Sequence, residues 1–205
     1  MASITMAVTK VRCLIETDEV GADEPYVLVI GINLKNIPLP NVEVTKYGPW
    51  GNIDKGDLMT TKPIPPNFDP GTLPIFVWRH PCWGLNGKPA PISHPDDVIF
   101  LVAVMEHDDG DPAAMRTIVK GVVVSGLAAS MNMSRADRVK KLINDVNGAL
   151  EIPTGAPNFD DPVGSTKELR LKQSLLQVET GVKATKLLFT GDGGQYRVRF
   201  ELSKG

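Results

Sequence analysis

The sequence predicts a mainly β chain, an eight-stranded antiparallel β-sandwich with a two-helix insertion between strands five and six. Three observations lead there. Short runs rich in Val, Ile, Tyr and Phe recur between stretches holding many of the 19 Gly and 17 Pro, the pattern of strands joined by turns. Two consecutive segments, 111–131 and 134–152, switch to helical periodicity and open on helix-starting residues. The chain after them has too few strands for a core of its own, so a single domain over 1–205 is expected, with 111–152 as a helical hairpin inside it.

Taken in order, residues 3–16 alternate loosely, with Val11, Cys13 and Ile15 on one face of a first strand. "YVLVIGINL" at 26–34 and "NVEVTKY" at 41–47 are the second and third strands, β-branched for most of their length. An irregular Gly- and Pro-rich stretch follows from Gly48 to Gly71, and "TLPIFVWR" at 72–79 reads as the fourth. Residues 80–97 read as loop. "VIFLVAVME" at 98–106 is apolar without alternation, the signature of a central strand covered on both faces.

The texture then changes. Asp111 is placed as an N-cap with Pro112 at the first helical position, where its missing N–H costs nothing. Ser134 with Asp137 three residues on is a capping-box variant. Val139, Leu142, Ile143, Val146 and Leu150 give the second helix one apolar face. The first is nearly all apolar or small. It is expected to cover the outer face of strand five, the alternative being a surface for another subunit or for shallow membrane insertion. Arg135, Arg138, Lys140 and Lys141 make the start of the second helix basic, either a solvated face or a contact for anionic lipid. Strands six to eight are expected at 168–176, 183–190 and 195–202, the last two joined by "GDGG".

Bulk properties narrow the function. A net charge of −2 on 205 residues lacks the basic excess of a nucleic-acid binder, so no nucleic-acid partner is expected. No basic region followed by an apolar run opens the chain, and no apolar run reaches the roughly 20 residues that span a bilayer. The chain is therefore expected to be soluble when made, and its compartment is not readable. Cys13 and Cys82 are expected as two buried thiols, a single bridge being the alternative. The sequon at Asn132 reads as chance. His80, His94 and His107 are read as loop residues, because no second pair of zinc ligands accompanies "HPCW". Neither G-x-x-x-x-G-K-[ST] nor G-x-S-x-G occurs. No enzyme is expected, although a carboxylate-dependent hydrolase remains open because such carboxylate pairs are defined in space.

The carboxylates carry the sharper reading. Glu16, Asp18, Glu19, Asp23 and Glu24 lie within nine residues and without a Lys or Arg among them. Glu106, Asp108, Asp109 and Asp111 follow strand five, and Asp160 and Asp161 precede strand six. Loops after odd-numbered strands of an antiparallel sandwich emerge at one end, so all three groups should gather at one pole. Such a pole suits Ca²⁺, which takes about 6–8 oxygen ligands from separate loops.

Three of these segments resemble C2 domains. "ADEPYVLV" resembles the Ser-Asp-Pro-Tyr-Val signature opening their second strand, "VAVMEHDD" the strand ending in Asp-x-Asp, and "FDDPVG" the Asp-Asp-x-Ile-Gly closing their third calcium loop. Glu106 stands where an Asp is expected, and about fifty residues separate the last two segments where the family has a handful. The resemblance implies a non-catalytic Ca²⁺-binding interaction module. Its ligands by motif position are Asp23, Glu106, Asp108 and Asp161, with Asp18 and then Glu16 supplying the early loop. It also implies an anionic phospholipid surface or a protein as partner. The rival is a structural subunit assembling into an oligomer or filament stabilised by Ca²⁺.

Overall fold

The computed structural model describes residues 3–18, 21–35, 40–61, 81–83, 90–155, 159–176 and 181–204. It is mainly β, with two antiparallel sheets. The strands are β1 (Ser3–Ile15), β2 (Tyr26–Asn33), β3 (Asn41–Tyr47), β4 (Leu58–Thr60), β5 (Ala90–Pro91), β6 (Val98–Met105), β7 (Lys167–Glu168), β8 (Val182–Gly191) and β9 (Gly194–Lys204). The helices are α1 (Pro112–Ala129), α2 (Arg135–Leu150) and the single turn α3 (Gln173–Leu176). One sheet runs β4-β1-β9-β8, with the two-residue β5 also against β1; the other runs β3-β2-β6-β7. Among the described residues eight strands thus make the two sheets and β5 is an appendage.

Strand alternation explains how the layers meet. Val8, Val11, Val198 and Phe200 of the first sheet share one buried core with Val27, Val29, Phe100 and Val102 of the second. The intervening residues of β2 and β6, among them Leu28, Ile30, Ile99 and Leu101, face the other way. There they pack with Met115, Val119 and Val123 of α1 and Leu142, Val146 and Leu150 of α2. All eight residues of β6 are buried, which is why its sequence does not alternate. The hairpin therefore covers the second sheet. α1 is long and apolar enough, by length and composition, to cross a membrane (mean hydropathy 1.2), but its apolar side is on the sheet.

The helix ends form as their sequence dictates. Asp111 Oδ1 accepts from the amide of Ala113 at 2.8 Å, and Ser134 Oγ from that of Asp137 at 3.2 Å. The basic start of α2 is engaged internally. Arg135 donates to Glu168 and to the carbonyl of Val98, Arg138 to the carbonyls of Ser130 and Met131 that end α1, and Lys141 to Asp145.

Several expectations shift. The strand expected at 168–176 is only Lys167–Glu168, followed by chain outside any strand and the turn of α3. Leu169 and Leu171 still point into the core, so the alternation was genuine. The ladder ends at Glu168, and the Val98 carbonyl further along β6 accepts from Arg135. β4 and β5 lie where only irregular chain or loop was expected. The strand expected at 72–79 lies outside the described residues, as does His80. His94 caps the 3-10 turn Pro95–Asp97, its Nδ1 accepting from the amide of Asp96 at 3.2 Å. Cys13 and Cys82 are free and buried, and burial pushes the Cys82 thiol up to about 12.

Candidate cation-binding pole

Four chain segments converge at one end of the sheets. Hydrogen bonds tie the segment before β7 to the end of β6, from Glu106 N to the Asp161 carbonyl at 2.8 Å and from Val163 N to the Val104 carbonyl at 2.9 Å. The same segment lies against the end of β8: a Cβ on Gly164 would stand 2.3 Å from the carbonyl oxygen of Thr190. The two-residue turn of Asp192 and Gly193 has positive φ at both positions, 50° and 65°, the geometry that matches the twist of a hairpin. Its Gly193 sits so close to Asp18 that a Cβ there would be 3.0 Å from the Asp18 Cβ. The loop after β1, the end of β6, the segment before β7 and the β8–β9 turn therefore meet.

Two carboxylates are the buried fasteners of this pole. Asp23 Oδ1 accepts from Thr17 Oγ1 at 2.8 Å, and its Oδ2 from the Thr17 amide at 3.0 Å and from the Tyr196 hydroxyl. Asp160 does more. Its Oδ1 accepts from the amides of Asp108 and Gly110 at 3.2 and 3.1 Å and stands 3.0 Å from His107 Nδ1, while its Oδ2 accepts from Tyr26 at 2.8 Å. Burial, reinforced by the neighbouring carboxylates, raises the pKa of both phenols. Glu106 is also buried, its Oε1 accepting from the amide of Glu24 at 2.9 Å.

The remaining carboxylates crowd one another. Asp108, Asp161 and Asp192 all have raised pKa values, with partial desolvation by the surrounding chain the largest cause in each. Next come Asp160 and Asp109 for Asp108, Asp108 and Asp160 for Asp161, and Asp18, Asp161 and Asp23 for Asp192. An acid raised in the folded state is a liability once both states are ionised. Stability should therefore rise as the pH falls from neutral through these raised values, the gain being complete below the ordinary 3.8. Thermal melts in EDTA across that range should show the rise, and Asp108→Asn/Asp161→Asn/Asp192→Asn should flatten it. An unchanged slope in the triple variant would show that the crowding has no energetic weight.

Of the residues expected as ligands, Asp18, Asp23, Glu106, Asp108 and Asp161 are brought to this pole. The Glu16 side chain is engaged by the loop before β4, its Oε1 accepting from the amide of Lys55 at 2.6 Å. Asp192 was missed by sequence reading, although "GDGG" follows the seventh expected strand and the odd-strand rule places it here. Among the described residues no three His, Cys, Asp or Glu side chains are already arranged to hold a metal ion. The carboxylates share a pole but are not closed on a point. No family model, curated protein or solved structure matches the chain.

Proposed function

We propose that the two sheets form a C2-like β-sandwich and that the chain is a non-catalytic interaction module binding Ca²⁺ at this pole. The observation that carries the reading is the mutual crowding of Asp108, Asp161 and Asp192, delivered by three separate segments with Asp18 alongside. A hard dication removes that repulsion and accepts oxygen ligands from several loops at about 2.3–2.6 Å. Asp18, Asp108, Asp161 and Asp192 supply the mobile ligands. Asp23, Asp160 and Glu106, held by hydrogen bonds, fix the loops that carry them. An ion seated there keeps positions open for the oxygens of an anionic partner, a phospholipid headgroup or a protein carboxylate.

Because the side chains must close on the ion, affinity belongs in the weak range, with a Kd of about 10⁻⁴–10⁻³ M. At ten times the Kd, Ca²⁺ should add about 1.4 kcal/mol of stability, which raises the melting temperature by about 4 °C for a chain of this size. The shift should shrink in Asp108→Asn and Asp161→Asn and be smaller with Mg²⁺, which holds its waters. Protein shown free of metal by elemental analysis that melts identically with and without Ca²⁺ would overturn the reading.

A further inference from the structure

The outer face of the first sheet carries a plate of cations that strand register assembles from three strands. Lys186 of β8 is paired with Arg199 of β9, which is paired with Lys10 of β1. One row on, Arg197 is paired with Arg12. Neighbouring strands are about 4.8 Å apart and rows about 6.8 Å, so five cations occupy an area of about 10 by 7 Å. Their neighbours along each strand, Val11, Val198 and Phe200 among them, are buried in the core, which fixes the five on the outward side. Lys10, Arg12, Lys186 and Arg199 are exposed and Arg197 is half-buried.

This plate has almost no counter-charge of its own. Arg199 pairs with Glu201 at 3.1 Å, and among the described residues Lys10, Arg12, Lys186 and Arg197 make no ion pair. Like charges directly opposite on adjacent strands repel, so the face is incomplete until an anionic surface covers it. The chain carries such a surface, the acidic pole at the end of these same strands, where Asp18, Asp108, Asp161 and Asp192 crowd one another and His107 offsets Asp108 alone of the four. Plate and pole belong to one rigid fold and point to the side and the end of the sheet. They cannot meet within a molecule.

We infer that the plate docks the acidic pole of a second copy of this chain. The match is one of charge: each surface lacks what the other presents, on a protein whose net charge is only −2. Such a contact is heterologous, one surface of a copy against a different surface of the next. It depends on ionic strength, because both sides are solvated until they meet. The inference needs the carboxylates of the pole but not their calcium; an ion seated there competes with the plate for them.

Sedimentation velocity on the full chain in EDTA tests it. At about 0.01 M salt, with a Debye length of about 30 Å, species heavier than the 22.2 kDa monomer should form with rising protein concentration. They should disperse at about 1 M, where the Debye length is about 3 Å. Arg12→Gln/Arg197→Gln, which removes charge from one exposed and one half-buried position, and Asp161→Asn/Asp192→Asn should each associate at least about tenfold more weakly, a loss of about 1.4 kcal/mol. An equimolar mixture of the two variants should recover association, because one retains an intact pole and the other an intact plate. A monomer at low salt, association indifferent to both variants, or a mixture no better than its components would overturn the inference. So would a plate that binds anionic phosphatidylserine vesicles while the protein stays monomeric. Failure to bind calcium would leave association unchanged by Ca²⁺ and the mixing result intact, so the two readings fail separately.

Discussion

Asp160→Ala should destabilise the protein by about 3–5 kcal/mol, the range for stripping one partner from a buried charged network. Asp160 is 5% exposed, and its carboxylate collects the Tyr26 hydroxyl, the amides of Asp108 and Gly110, and His107. Those groups come from β2, from the chain leaving β6 and from the start of the hairpin. Alanine would leave buried donors without acceptors, each costing about 1–3 kcal/mol. Urea denaturation should show a lower midpoint. Tyr26→Phe should cost about 1.5–3 kcal/mol alone and far less in the Asp160→Ala background, because its acceptor is already gone. Additive losses would mean that the two side chains are not coupled; a loss under about 1 kcal/mol for Asp160→Ala would remove Asp160 from its place as fastener.

Gly164→Ala should be among the costliest single-methyl changes. Its φ of +75° is a left-handed conformation, worth about 1–2 kcal/mol against an L side chain. The added Cβ would also lie 2.3 Å from the Thr190 carbonyl oxygen, and backbone cannot swing away as a flexible side chain can. The sum should be about 3 kcal/mol or more, within the range reserved for named steric mechanisms. Gly181→Ala is the control. Its φ is +77°, but nothing lies within 4 Å of the new Cβ, so it should lose only the conformational term. Equal urea midpoints for the two variants would show that the close approach between the segment before β7 and the end of β8 is not tight.

Local chemistry was legible in the sequence wherever one signal dominated. The unbroken apolar run of β6, the Asp111-Pro112 start of α1, the Ser134 cap of α2 and the alternating hairpin of β8 and β9 appear where they were expected. Pairings that depend on distant partners were not legible. β4 is three residues whose only periodic signal is Met59, and β7 ends close to a β6 carbonyl that an arginine on α2 engages. The candidate site divides the same way. Gathering of the acidic loops at one end followed from strand parity. Which acid turns inward did not: Asp160 and Asp161 are sequence neighbours, yet one is the buried acceptor at the centre of the pole and the other is exposed at its rim. Asp23 reads as a ligand by motif, but Thr17 and Tyr196 already hold both of its oxygens.

The loose alternation of β1 comes from its irregular pairing with β9. Val8 is opposite Phe200 and Lys10 opposite Arg199, so Thr9 is an extra residue; Leu14 is another, between Cys13 and Ile15. In an unbroken ladder one added residue turns every later side chain to the opposite face. Here each extra residue is taken up as a bulge, and the phase of the strand is restored beyond it. Val8, Val11 and Cys13 all face inward although their spacing is three and then two. Without that correction at Thr9, Lys10 and Arg12 would enter the core and Val11 and Cys13 would face solvent. The strand thus keeps in step with its partner while its length does not, and a repeat counted along the sequence alone loses the beat at the two places where the fold has slipped a residue in.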